Sequence, residues 1–246
     1  VGCKKKASSA TESSSSSGSG DDSGEGGLSP WTLSSYKSKD ANNLKQMLLA
    51  MSNYNDAMGS FPPAATSDAN GKPLLSWRVA ILPYVEQSSL YNLFKHNEPW
   101  DSPANKALLS QMPKLYQSPG RSKDGDTVTY YRVFGALNPP TSPRAPFVLP
   151  VAGGGQPPPL RIANFTDGTT NTILIAEAEE GVPWTKPEVM IYNPKGPIPA
   201  LSYYFNGVTQ VGMGDGSVRQ IKKSISEKTL RAAITMDGGE MLGPDF

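Results

Sequence analysis

Two side chain types occur only once in this sequence, as Cys3 and His96, and they bound the chemistry available to it. A lone cysteine closes no intrachain disulfide. One cysteine and one histidine also fall short of the four Cys or His ligands that structural zinc sites use. A serine nucleophile would have to recruit His96, which lies in Lys95-His96-Asn97-Glu98, a stretch that reads as a solvated helix end. There is no Gly-x-Ser-x-Gly elbow, no phosphate-binding Gly-x-x-x-x-Gly-Lys and no His-Glu-x-x-His. Two carboxylates such as Glu86 and Glu177 would cleave a glycosidic bond only if the fold set them about 5 to 10 Å apart in a cleft. The expectation is therefore a protein that is not an enzyme and carries no cofactor.

Carboxylates in turns are the remaining candidates, in Glu98-Pro99-Trp100-Asp101, Thr166-Asp167-Gly168-Thr169 and Gly214-Asp215-Gly216. Asp and Thr at such positions ordinarily cap backbone amides. The functional reading is a ligand or calcium loop with Asp167, Asp215 and Asp101 as donors, joined by Asp124 and Asp126. No stretch has the spaced EF-hand pattern, and no metal ligand set is assigned. Trp77, Trp100 and Trp184 suggest a carbohydrate platform, but each adjoins a proline or an apolar helical stretch, where a tryptophan ordinarily packs into a core or anchors a loop.

The thiol of Cys3 has a different chemistry open to it. Small residues stand immediately before it, in Val1-Gly2-Cys3, and a polar stretch follows, which resembles the end of a bacterial lipoprotein signal peptide. Cys3 would then be the lipid-attachment residue, carrying palmitate or similar chains, with Lys4, Lys5 and Lys6 at the headgroups of an anionic leaflet. From Ala7 to Gly27 the chain is almost wholly Ser, Gly, Asp, Glu, Ala and Thr. Such a segment has nothing apolar to bury and cannot offset the entropy of ordering itself. As a flexible tether of roughly 30 residues it would span on the order of 30 Å.

Charge narrows the partners. The formal net charge is +1, with no basic patch interleaved with aromatics, so nucleic acid is not expected as a partner. No apolar run of about 18 residues is present to cross a bilayer as a helix. The expected partner is a membrane, through the lipid on Cys3, with an envelope protein or polysaccharide beyond it.

Several elements must position these residues. Leu44, Met47, Leu48, Met51 and Tyr54 recur at helical spacing, which predicts a helix over Asp40 to Met58 with Asp40 as N-cap and Gly59 just past its end. Helical stretches are also predicted over Ser76 to Leu82, Val85 to Phe94 and Ala104 to Met112. After Pro113, β-prone runs separated by turns predict strands over 127–134, 147–151, 161–165, 172–177 and 189–192. A hairpin is predicted from Val208 to Met213 and Ser217 to Ile221 around Gly214-Asp215-Gly216. A last helix over Glu227 to Ile234 follows the N-cap candidate Ser226. The stretches Asn138 to Pro146 and Gly153 to Pro159 read as long surface loops.

Asn42-Asn43-Leu44-Lys45-Gln46, Gly59-Ser60-Phe61-Pro62-Pro63, Ser76-Trp77-Arg78-Val79, Leu82-Pro83-Tyr84-Val85-Glu86-Gln87 and Glu98-Pro99-Trp100-Asp101-Ser102-Pro103 follow one another in order. So do Thr166-Asp167-Gly168-Thr169-Thr170-Asn171-Thr172-Ile173, Val182-Pro183-Trp184, Asp215-Gly216-Ser217-Val218 and Leu230 to Glu240. Together they resemble the planctomycete domain-of-unknown-function family 1559, also catalogued as SBP_bac_10, over residues 36 to 246. The resemblance implies a head like those of type IV pilins and pseudopilins. Typical members run an apolar helix into Asn-Asn-Leu-Lys-Gln, whereas here Cys3 and the Ser/Gly segment stand upstream. A histidine ten residues before Asp-Gly in the family pattern is replaced by Phe205.

The expected fold is α+β and pilin-like, an N-terminal amphipathic helix packed on a mostly antiparallel β-sheet with long Pro/Gly-rich loops. Residues 1–35 form the lipid-attachment segment and tether, and residues 36–246 a single globular domain. The expected role is a non-catalytic, lipid-anchored cell-envelope protein facing the periplasm or exterior and presenting its head for structural, protein or polymer contacts. The alternative is a tethered binding module for a small solute, glycan or calcium.

Overall fold

The structure is a computed structural model that describes residues 1–2, 29–137 and 143–246. Cys3, the lysines after it, the whole Ser/Gly segment from Ala7 to Gly27 and part of the Asn138 to Pro146 loop lie outside the described residues.

The first helix, α1, spans Pro30–Met58. It begins ten residues before the predicted start because Ser29-Pro30 supplies its own signal: the Ser29 hydroxyl accepts from the Thr32 amide at 3.2 Å, and proline occupies the first turn. No residue from 30 to 39 is fully buried, so hydrophobic periodicity carries no information there. Asp40, predicted as the cap, is instead buried inside the helix, in line with Leu44, Met47, Leu48 and Met51. Gly59 ends the helix as expected, at φ 74° with its amide donating to the Asn55 carbonyl.

A small hairpin follows, β1 (Ala65–Ser67) with β2 (Pro73–Ser76), and neither strand was predicted. The long helices predicted beyond it are short pieces: α2 (Trp77–Ala80), a 3-10 turn at Leu82–Val85, and α3 (Ser88–Leu93). Glu86 takes a left-handed φ of 61°, which no continuous helix admits. The predicted Ala104 to Met112 helix likewise divides into α4 (Pro103–Lys106) and a 3-10 turn at Leu109–Gln111.

The main sheet has the order β4-β3-β5-β7-β8, with β6 also pairing β3. Its strands are β3 (Val128–Leu137), β4 (Phe147–Leu149), β5 (Ile173–Pro183), β6 (Met190–Ile191), β7 (Val208–Met213) and β8 (Val218–Lys222). The β3–β5, β5–β7 and β7–β8 pairs are antiparallel; β4 and β6 lie parallel to β3. Arg161 to Phe165, predicted as a strand, forms a 3-10 turn in which the Asn164 side chain accepts from the Arg161 amide at 2.7 Å. The last helix, α5 (Glu227–Ile234), has its predicted bounds and its predicted cap at Ser226.

The fold is thus α+β, with a mostly antiparallel sheet between two apolar clusters. On one face Leu44, Met47, Leu48 and Met51 of α1 meet Tyr131, Val133 and Ile175, continuing into Trp77, Tyr116 and Trp184. On the other, Leu230, Ala233 and Ile234 of α5 cover Phe134, Ala176 and Val211. Gly212 lets α1 approach β7, since a Cβ there would lie 2.8 Å from a Leu48 methyl. Among the described residues no helix is long and apolar enough to cross a membrane.

Candidate functional site

The sheet face under α1 is apolar except at one place. Tyr131 of β3 and Glu177 of β5 are register partners, so both side chains leave the sheet side by side. The Tyr131 hydroxyl donates to Oδ1 of Asp40 at 2.6 Å. Asn43, one turn further along α1, donates from Nδ2 to the Tyr131 oxygen at 3.3 Å and to the Gln117 carbonyl at 3.1 Å. The Ser118 hydroxyl donates to Oε1 of Glu177. Asp40, Ser118, Tyr131 and Glu177 are all fully buried.

Each carboxyl keeps one oxygen, Asp40 Oδ2 and Glu177 Oε2, that is buried and has no hydrogen-bond partner. Burial pushes the Asp40 carboxyl up from 3.8 to about 8, and the nearby Glu177 adds to this, against the hydrogen bond from Tyr131 and the nearby amide of Gln210. Burial also raises Glu177, against the Ser118 hydroxyl and the charge of Arg121. Removed from water, the Tyr131 phenol titrates well above its ordinary value. The site is chemically a pair of acids that retains a proton where exposed carboxyls have lost theirs.

A groove of about 650 Å³ runs beside it, lined by Arg121, Glu179, Ser202, Tyr203, Tyr204 and Lys223 among others. Arg121 is fixed there: its guanidinium lies 3.6 Å from the Tyr130 ring centroid and donates to the Ala178 and Glu179 carbonyls at 2.9 and 2.7 Å.

The residues singled out from sequence have other occupations. Both oxygens of Asp167 accept backbone amides, from Gly238 at 2.8 Å and Gly239 at 2.9 Å, which ties this turn to the chain after α5. Asp215 accepts from the Ser217 amide and hydroxyl at 2.9 and 2.6 Å inside the β7–β8 turn. Asp126 accepts from the Lys123 amide at 2.7 Å, and Asp101 and Asp124 are exposed in turns. Among the described residues, no group of three or more His, Cys, Asp or Glu side chains could hold a metal ion. Glu86 lines a surface groove with Leu49 and Leu115 that Glu177 does not line.

Trp77 and Trp184 are fully buried, the latter donating to the Leu109 carbonyl at 3.0 Å and stacked on Tyr116, so neither offers a platform. His96 is exposed against the Tyr91 ring. Phe205, standing where the family pattern has histidine, is fully buried.

Sequence reasoning missed the acid pair, although one signal was present. Extending the Leu44–Met47–Met51 stripe back by one turn lands on Asp40, so an acid sits in a core-facing row.

Neither a curated protein nor a solved structure matches the chain. The model of a family described as a protein of unknown function, DUF1559 (SBP_bac_10), matches residues 40–197, a span that opens on Asp40 and takes in Tyr131 and Glu177. Covering well over half of the sequence, that match makes the chain a member of the DUF1559 family.

Proposed function

We propose that this chain is a non-catalytic, lipid-anchored cell-envelope protein, held by acyl chains on Cys3 and presenting a pilin-like head for structural contact with envelope proteins or polymer. The observation that carries this reading is the form of α1. One unbroken helix both packs on the sheet through Leu44 to Met51 and extends a largely exposed first third, Pro30 to Lys39, back toward the Ser/Gly segment. A head built this way has its attachment point at the end of a stiff arm. Among the described residues the fully buried acids are Asp40 and Glu177, enclosed between α1 and the sheet, which suits a structural role better than substrate turnover. Metabolic labelling with radioactive palmitate tests the anchor. Label on the wild type and none on Cys3→Ala is expected; an unlabelled wild type, or equal label on both, would defeat it.

A second reading, a tethered binding module, is favoured by the groove beside β5, where Arg121, Lys223, Tyr203 and Tyr204 combine cations with aromatic faces. A ligand at 100 times its dissociation constant adds about 2.7 kcal/mol of stability. Thermal unfolding against acidic oligosaccharides, neutral sugars, calcium and chelator distinguishes the two: an unmoved midpoint throughout removes the binding reading.

A further inference from the structure

We propose that Asp40 and Glu177 form a proton-dependent latch that fastens the first half of α1 to the sheet, tight in acid and progressively weaker as the pH rises toward neutrality.

The helix is attached in two unlike zones. From Leu44 to Met51 it presents an apolar face that packs whatever the pH. From Tyr36 to Asn43 the attachment includes several polar contacts. Tyr36 closes over Gly120, where a Cβ would lie 2.7 Å from its ring. The Lys37 carbonyl accepts from the Gln210 side chain at 2.7 Å. Asp40 and Asn43 meet Tyr131, and Asn43 also meets the Gln117 carbonyl. Asp40 is the one fully buried residue of α1 before Leu44.

The groups facing the pair come from every neighbouring element. Tyr131 belongs to β3, Gln210 to β7, Ser118 and Arg121 to the segment before β3, and Tyr204, itself beside Tyr36 of α1, to the turn before β7. Arg121 is the only cation among them. Its hydrogen bonds go to backbone carbonyls, not to either carboxylate. With both acids ionised, Asp40 Oδ2 and Glu177 Oε2 would carry charge in a buried seam with no direct counter-ion, whereas a protonated Asp40 avoids that cost.

The sign follows from where the proton is held. Closed, Asp40 titrates near 8; with the first half of α1 swung out it returns to water and its ordinary 3.8. Between those values the closed state binds more protons than the open one. Opening therefore becomes easier with rising pH, by up to about tenfold per pH unit for one proton, and levels off above about pH 8. Below about pH 4 both states are protonated and the latch is fully closed.

Hydrogen exchange followed by mass spectrometry on the full chain, from about pH 4 to about pH 8, tests this once rates are corrected for intrinsic exchange chemistry. Amides of 31–43 should open increasingly with pH while those of 48–58, whose acceptors lie in the apolar zone, keep constant protection, and Asp40→Asn should flatten the response. Three results would overturn the latch: protection of 31–43 that ignores pH, an identical response in Asp40→Asn, or 48–58 loosening in step. Should Asp40→Asn fail to fold, Glu177→Gln must reduce the response. The wild type must also show, by infrared spectroscopy near pH 6, a protonated-carboxyl stretch that exposed acids have lost; its absence refutes the proposal.

Discussion

The Tyr131 hydroxyl and the Asp40 carboxylate, 91 positions apart in sequence, meet at 2.6 Å with neither side chain exposed. This contact ties α1 directly to the sheet, beside Glu177, the register partner of Tyr131. Buried hydrogen bonds of this kind add little net stability when made and cost considerably more when half of one is removed.

Tyr131→Phe removes the donor and leaves Asp40 Oδ1 as unsatisfied as Oδ2 already is. The expected loss is about 1–3 kcal/mol in urea unfolding, at unchanged m-value. A Tyr131→Phe, Asp40→Asn double variant should lose less than the sum of the two single changes, because the penalty belongs to the pair.

Overall stability should decline as pH rises from about 4 to about 8, because folded Asp40 holds its proton up to about 8 while the unfolded side chain gives it up near 3.8. One such group changes stability by at most about 1.4 kcal/mol per pH unit. Urea midpoints across that range should fall in the wild type and fall less in Asp40→Asn, with Glu177, also raised by burial, responsible for the remainder. Asp245, drawn down to about 2 by the Thr229 hydroxyl and the Ser226 amide, works in the opposite sense: its contribution is lost only as pH falls from about 4 through 2.

Trp184→Phe gives up the hydrogen bond to the Leu109 carbonyl, and Trp184→Ala also empties a fully enclosed site between Tyr116 and Phe94. Expected costs are about 1–3 kcal/mol and about 3–5 kcal/mol respectively, read from thermal or denaturant unfolding. A neutral Trp184→Ala variant would mean that the cluster under β2 is not part of the cooperative core.

Gly212→Ala drives a methyl group to within 2.8 Å of Leu48 and should lift α1 from β7 at a cost of about 1–3 kcal/mol. Adding Leu48→Ala should recover part of that loss, and a double-mutant cycle measures how much.

Three locally marked ends were legible in the sequence, although the Ser29-Pro30 start of α1 was not. Gly59, Ser226 and the Gly214-Asp215-Gly216 turn each carry their own signal, and the structure keeps all three. Asp40 was misread because a capping aspartate and a buried aspartate look alike until the chain 91 residues later supplies Tyr131. The arm from Pro30 to Lys39 was missed for the opposite reason: it buries too little to leave an apolar stripe. Arg161 to Phe165 has strand-like composition, but the Asn164 side chain wraps back onto the Arg161 amide and closes a 3-10 turn. Of the candidate carboxylates, Asp167 and Asp215 do what turn aspartates ordinarily do, accepting backbone amides.

The graded attachment of α1 also determines how the domain would bear mechanical load. A pull at Ser29 directed away from the sheet reaches the Gln210, Tyr131 and Asn43 contacts before it reaches the apolar packing of Leu44 to Met51. Such a joint gives way by peeling, one contact after another, not by shearing all at once. The molecule would pay out a short length of chain at low force while its core stays folded, which single-molecule stretching would record as a small first yield before the main rupture.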